Sequence, residues 1–288
     1  MLLADFIRGS VAALAPLYPV EEARSIIHLL CEERLGTCSY THIVDPGYEV
    51  PATRQAELDD AVARLGRGEP VQYVLGYTDF CGHRFQVNRS VLIPRPETEE
   101  LVREAVVRAL RLDRPARVLD LCTGSGCIAW SVLLDIPDAE VVAVDVSADA
   151  LDLARTQFPG RAPLFLQADV LDTAQDFPYG PFDLILANPP YIRESEKARM
   201  RPNVLDYEPP LALFVPDGDA LLFYRAIARW ARRFLRPDGT GIVEINEDLA
   251  PQTAAVFREA GFRHVHPLED FSGKPRFVLF SEFNHNEP

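Results

Sequence analysis

The rhythm of hydrophobic and polar positions changes twice along this chain. Over the first 75 or so residues apolar side chains recur every three or four positions, the spacing of amphipathic helices. Between Pro19 and Gly36, residues Ala23, Ile26, Ile27, Leu30 and Leu35 fall along one face. Glu21 and Glu22 occupy the first turn, where the helix dipole favours acids, and Gly36 closes the run. A second helix is predicted from Thr53, as its N-cap, through Leu58, Val62 and Leu65 to a stop at Gly66 and Gly68. The opening residues 2–15 predict a third. From Gly76 to Pro94 polar and apolar residues alternate between turn formers, which predicts a short hairpin.

From Pro96 onward buried strands and amphipathic helices take turns, the order of a parallel sheet covered by helices. Strands are predicted at 116–122, 140–146, 163–169, 182–187 and 241–245, with two more around 264–268 and 276–280. Helices are predicted at 97–110, 126–134, 147–158 (capped by Ser147), 219–235 (stopped by Pro237-Asp238-Gly239) and 250–262. The expected organisation is a helical domain over 1–75, a β-hairpin linker over 76–95 and an α/β domain over 96–288.

Composition narrows the function. With 48% hydrophobic and 25% charged residues among 288, the chain reads as globular rather than disordered. It has no run of the roughly 20 uncharged apolar residues that a bilayer demands. Asp5 and Arg8 sit where a signal peptide would be apolar, so a cytoplasmic protein is expected. A net charge of −14 argues against gripping phosphate backbone. Five cysteines without a CxxC pair fit a reducing compartment, and six histidines without HxxxH or HExxH spacing predict no metal site.

The first chemical signal is Asp120-Leu-Cys-Thr-Gly-Ser-Gly126, at the turn from the first buried strand into a helix. Gly124 and Gly126 allow the turn and let backbone approach a ligand. Asp145 ends the second strand, where a carboxylate can accept from ribose hydroxyls; Asp169 ends the third, within reach of an adenine amino group. A nucleoside cofactor is expected, although Gly124-x-Gly126-x-x-Ala129 also satisfies a nicotinamide dinucleotide fingerprint. Cys122 and Cys127 raise the further option of a thiolate nucleophile. The fourth strand then runs into Asn188-Pro189-Pro190-Tyr191, for which a dehydrogenase has no use. An amide or ring amino nitrogen is a weak nucleophile, because its lone pair is delocalised. The Asn188 side-chain oxygen and the Pro189 carbonyl could each accept one of its N–H groups, aiming it at a methyl sulfonium. The prolines stiffen the loop, and Tyr191 could wall the planar group.

At these residues the sequence resembles the PrmC/HemK family, N5-glutamine methyltransferases of peptide chain release factors. The most specific segments are Ile93–Leu101, Leu119–Ala129, Asn188–Tyr191 and Glu208-Pro209, with Gly218–Tyr224 and Asp270–Arg276 also similar. The resemblance implies a seven-stranded, Rossmann-like class I methyltransferase sheet. It implies S-adenosylmethionine across Cys122, Thr123, Gly124, Ser125 and Gly126, with Asp145 on the ribose and Asp169-Val170 near the adenine. The substrate glutamine would sit on Asn188, Pro189, Pro190 and Tyr191, with Arg95 and Glu97 shaping the pocket or ordering the hairpin. Cys122 stands where relatives often have glycine, and Val170 where some have an aromatic. The implied partner is a release factor, which the N-terminal helices over 1–75 would help to dock, met by a monomer without direct nucleic-acid or membrane contact, and the product is S-adenosylhomocysteine. Rival readings are a ribosomal-protein glutamine methyltransferase, an adenine N6-methyltransferase of nucleic acid, and a non-catalytic module that kept the fold.

Overall fold

The structure, a computed structural model, describes residues 1–283; residues 284–288, the end of the expected 96–288 domain, lie outside the described residues. Two compact units emerge, Met1–Tyr77 with Arg201–Tyr207, and Thr78–Met200 with Glu208 onward.

The first unit is helical: α1 (Leu3–Leu14), α2 (Val20–Leu35), α3 (Thr41–Val44), α4 (Ala52–Gly66) and α5 (Val71–Leu75). Phe6 and Leu14 of α1, Ile27 and Leu30 of α2, and Leu58 and Leu65 of α4 meet in one apolar core. The α2 stripe is rotated slightly from its prediction, because Cys31 is buried while Ile26 and Leu35 are only partly so. Thr53 does not cap α4. That helix starts at Ala52 behind Pro51, whose fixed φ precedes the first turn without a side-chain cap.

The hairpin follows, β1 (Tyr77–Phe80) and β2 (His83–Gln86), in the second unit from Thr78 on. Its two turn residues, Cys81 and Gly82, have φ of 49° and 74°, the signs a type I′ turn requires. The alternating elements follow: α6 (Thr98–Ala109), β3 (Arg117–Leu121), α7 (Cys127–Asp135), β4 (Glu140–Asp145), α8 (Ala148–Arg155), β5 (Leu164–Gln167), β6 (Phe182–Ala187) and the short β7 (Ile192–Arg193). The chain then leaves this unit for Arg201–Tyr207, whose one-turn helix α9 (Pro202–Leu205) belongs with the N-terminal helices. It returns through β8 (Phe214–Val215), α10 (Leu222–Phe234), β9 (Leu235–Glu244), α11 (Ala250–Glu259), β10 (Phe262–Glu269) and β11 (Pro275–Phe283).

Seven strands form one sheet in the order β10-β11-β9-β6-β3-β4-β5, parallel except for β11, which runs antiparallel to both neighbours. Counted along the chain from the β5 edge, that is 3-2-1-4-5-7-6, the expected class I methyltransferase sheet. Successive residues of the central strands serve opposite faces. Leu119 and Leu121 pack with Tyr224, Ile227 and Trp230 of α10, while Val118 packs with α6 and α7. Both faces are covered, as a parallel sheet demands. The predicted strand at 241–245 is longer than its sequence pattern. Leu235 already pairs with Phe182 and Thr240 with Leu184, so residues 236–239, including Pro237, bulge between the two pairs.

The register fixes where chemistry sits. Leu121 is level with Val144 and with Ala187, and Asp145 is level with Gln167. The residues that follow, Cys122, Asp145, Ala168-Asp169 and Asn188, therefore emerge along one edge. It lies at the carboxyl ends of the strands, beside the point where the strand order reverses.

Candidate active site

The turn after β3 is held by its own backbone and by one carboxylate. The Thr123 N–H donates to the Val144 carbonyl at 3.0 Å, and the Gly126 N–H to the Thr123 carbonyl at 2.9 Å. Asp145 accepts from the Gly124 N–H at 2.8 Å and, on its other oxygen, from the Ser147 N–H at 2.9 Å. Burial raises the Asp145 pKa, and the backbone N–H groups of Ser147, Gly124 and Val146 oppose that rise. Cys122 has φ of 60°, a left-handed backbone conformation that costs a residue with a Cβ about 1–2 kcal/mol.

The two glycines of the turn serve different neighbours. Gly124 has φ of 54° and nothing within 4 Å of where a Cβ would stand. Gly126 has φ of 79°, and a Cβ there would meet Ala154 Cβ and Trp130 Cδ1 at 3.1 Å and Phe165 Cε1 at 3.2 Å. Gln157 ties this turn to the hairpin. It accepts from the Gln86 N–H at 2.7 Å and donates to the carbonyls of Gln86, at 2.9 Å, and Ser125, at 3.1 Å.

A cavity of about 220 Å³ opens at this edge. Cys122, Thr123, Gly124, Ser125, Asp145, Asp169 and Val170 line it, and so do Asn188 and Pro190. Gly126, Pro189, Tyr191, Arg95 and Glu97 are not on its wall; Gly126 packs into the helix layer instead. The wall fits an adenosyl sulfonium. Gly124 leaves room that a Cβ would fill, Asp145 and Asp169 supply acceptors, and Val146, Val170 and Leu171 supply apolar surface for a ring. Asp169 accepts from the Leu171 N–H on one oxygen at 2.8 Å, and its other oxygen has no protein donor among the described residues. Burial and the carboxylates of Asp145, Asp120 and Asp169 push the Cys122 thiol far up, and burial does the same to Cys127. Neither is a thiolate near neutral pH, which removes the covalent option.

Asn188 follows β6 into the cavity with its amide nitrogen tied back. Its Nδ2 donates to Thr98 Oγ1 at 3.2 Å, and Thr98 Oγ1 donates to Glu244 Oε2 at 2.6 Å. The other Glu244 oxygen accepts from the Tyr191 hydroxyl at 3.1 Å. Tyr191 is thus half-buried against Glu244 and the core, and its carbonyl accepts from Asn246 Nδ2 at 3.3 Å. Burial raises the Glu244 pKa, against the hydroxyls of Thr98 and Tyr191 and the charge of Arg276. Among the described residues no donor takes the Pro189 carbonyl.

Arg95 pairs with Glu208 at 2.7 Å, and Glu208, itself buried, also accepts from the Ile93 N–H at 3.1 Å. The segment after the hairpin is pinned there to the loop before Pro209, which lines the cavity. Glu97 lies exposed at the head of α6 and makes no side-chain cap. Sequence reasoning did not single out Thr98, Glu244 or Gln157. The available signals were an acid, Glu244, inside the otherwise apolar run 241–245, and a glutamine next to Phe158 at the end of the helix predicted at 147–158.

Comparison with known proteins identifies the family of the chain. A family model described as "PrmC N-terminal domain" matches residues 6–76, and one described as "Methyltransferase small domain" matches residues 103–205. A "Release factor glutamine methyltransferase" of Bacteroides thetaiotaomicron is 41% identical over 96% of this chain and 98% of its own length. One of the same description from Flavobacterium psychrophilum is 36% identical over 96% and 98%. A solved structure described as a methyltransferase from Pyrococcus furiosus covers 81% of this chain and 100% of its own, with TM-score 0.51 and 15% identity, a likeness of fold alone. With identity of this order over nearly the full length of both chains, the protein belongs to the release factor glutamine methyltransferase family.

Proposed function

We propose that the chain transfers a methyl group from S-adenosylmethionine to the side-chain amide nitrogen (N5) of the glutamine in the Gly-Gly-Gln loop of peptide chain release factors. The observation that carries this reading is the shared cavity. Asn188 and Pro190 line the same space as the glycine turn, Asp145 and Asp169. The names of the relatives support the same substrate.

When bound against Thr123–Ser125, Asp145 and Asp169, S-adenosylmethionine supplies a methyl carbon made electrophilic by its positive sulfur. The protein's task is to present the nitrogen. Asn188 Oδ1 accepts one N–H of the substrate amide, and the Pro189 carbonyl, which lies between the two wall residues Asn188 and Pro190 and takes no donor among the described residues, accepts the other. Two fixed acceptors orient the group and favour the pyramidal nitrogen whose lone pair is no longer delocalised. Pro189 and Pro190 restrict φ, so the acceptors need not reorganise during reaction. Neither acceptor is a base of useful strength, and the proton released on bond formation passes to water.

The test is to incubate the protein with S-adenosylmethionine carrying a labelled methyl group and a purified release factor, then map the label by mass spectrometry. Label on the Gly-Gly-Gln glutamine is expected. A folded release factor left unlabelled, with label on a ribosomal-protein glutamine or on adenine in a parallel reaction, would overturn the proposal.

A further inference from the structure

We propose that Thr98 and Glu244 are positioning residues whose hydrogen-bond polarity fixes which end of the Asn188 carboxamide faces the cavity. This inference rests on the proposed amide methylation, in which Asn188 must offer an acceptor.

An asparagine side chain has one acceptor end and one donor end of nearly equal shape, and a flip of the amide exchanges them. A donor pointing at the substrate amide would repel its N–H and void the site. Three elements converge to decide the matter: Thr98 is the first residue of α6, Glu244 the last of β9, and Asn188 the first beyond β6. Thr98 and Glu244 are 2% and 1% exposed, so water does not compensate a wrong choice.

Thr98 Oγ1 has one proton and two polar neighbours, Glu244 Oε2 at 2.6 Å and Asn188 at 3.2 Å. An ionised carboxylate only accepts, so the proton goes to Glu244. The hydroxyl oxygen is left with lone pairs toward Asn188, which meets them with its NH₂. Oδ1 is thereby turned away from Thr98. Tyr191 completes the arrangement by donating to the second carboxylate oxygen, so both ends of Glu244 are occupied by hydroxyl donors. A protonated Glu244 keeps the same polarity if its proton sits on Oε1, with the Tyr191 oxygen accepting. The site thus carries an unbroken sequence of donors running from the loop inward to one buried acid.

The experiment compares wild type, Thr98→Val and Thr98→Ser. Valine keeps the shape and removes the hydroxyl, and serine keeps the hydroxyl. Three quantities are measured: kcat and KM on a release factor, calorimetric affinity for S-adenosylhomocysteine, and water exchange of the Asn188 side-chain NH₂ by NMR. The NMR signals are assigned by their loss in Asn188→Ala. Thr98→Val is expected to lower kcat roughly 10- to 100-fold by misorienting an otherwise intact group. Its NH₂ exchange should speed up roughly fivefold, the worth of one net hydrogen bond. Thr98 lines the cavity, but its hydroxyl is bonded to Glu244 and Asn188, so affinity for S-adenosylhomocysteine should fall far less than kcat. Thr98→Ser should restore both kcat and exchange. Wild-type kcat in Thr98→Val, unchanged NH₂ exchange, or failure of serine to rescue would each overturn the proposal. Should the valine variant not fold, Thr98→Ala carries the same comparison. The exchange readout needs no substrate, so an enzyme inactive on glutamine would refute the proposed function, while the Asn188 signals would still decide the polarity.

Discussion

Gly124 and Gly126 look equivalent in the sequence, yet the structure assigns them separate consequences, and alanine at each position separates them experimentally. Both have positive φ, so alanine costs about 1–2 kcal/mol at either from the backbone alone. Lower freedom of the unfolded chain returns about 0.4–1 kcal/mol at either. These contributions largely cancel when the two variants are compared. What remains is contact. At Gly124 the new methyl meets nothing within 4 Å, whereas at Gly126 it meets three carbons at 3.1–3.2 Å. Those neighbours are poorly placed to yield: Trp130 is anchored by its indole N–H to the Ala154 carbonyl at 2.7 Å, and Ala154 is fully buried. Overpacking of this kind costs about 1–3 kcal/mol.

Gly126→Ala is therefore expected to be less stable than Gly124→Ala by about 1–3 kcal/mol. The ranking for ligand should reverse. The Gly124 methyl projects into the cavity and should weaken S-adenosylhomocysteine binding on the order of tenfold or more. Urea denaturation followed by tryptophan fluorescence reads stability in the relevant place, because Trp130 and Trp230 both lie in the second unit. Calorimetry reads the ligand. If the two variants unfold within about 0.5 kcal/mol of each other, or Gly124→Ala is the less stable, the packing explanation fails.

Further outcomes follow from other residues. Asn188→Ala should lower the methyl-transfer rate roughly 10²–10³-fold, as loss of one preorganised polar contact does, while S-adenosylhomocysteine affinity changes little; single-turnover kinetics with calorimetry on the same sample checks both. Asp145→Ala should weaken cofactor binding and also loosen the turn, since it releases the Gly124 and Ser147 N–H groups, and amide hydrogen exchange at those two positions should rise. Asp120 is fully buried beneath Thr123, and burial pushes its pKa up to about 7. Its folded form holds a proton that the unfolded chain gives up near pH 4, so stability falls as pH rises from about 4 through 7, by an amount on the order of 4 kcal/mol. Denaturation midpoints of wild type and Asp120→Asn should diverge in that window, and parallel curves would show that the buried carboxyl does not titrate there.

The alternation of strands and helices was legible because the central strands are short and mostly apolar, interrupted only by Asp120 in β3 and Asp183 in β6, and the order of motifs along the chain placed Asp145, Asp169 and Asn188 at strand ends. The loop itself could be read chemically because two prolines and an asparagine have few local uses together. What supports the loop was not legible. Thr98 and Glu244 are 146 positions apart, and only the pairing of β9 with β6 and the docking of α6 bring them to Asn188. Tyr191 read as a wall because an aromatic beside a planar substrate is a common pairing; the bond from its hydroxyl to a buried acid has no mark in the local sequence. Thr53 read as a cap because threonine often is one, but Pro51 had already started the helix. Arg201–Tyr207 carries no local mark of its allegiance, since its partners Glu22 and Arg67 are 179 and 140 residues away.

That last segment bears on how the molecule could be dissected. Arg201 is bound to Glu22 at 2.8 Å and the Tyr207 hydroxyl to the Arg67 carbonyl at 2.9 Å, so these seven residues are structurally part of the N-terminal helices while being covalently an excursion from the catalytic half. Cutting the gene after codon 77 would strip the excursion of its support and leave a loose loop only ten positions past Tyr191. A truncated enzyme made that way would lose activity even if the helices never touched substrate. Their contribution to recognition is better measured by surface substitutions than by deletion.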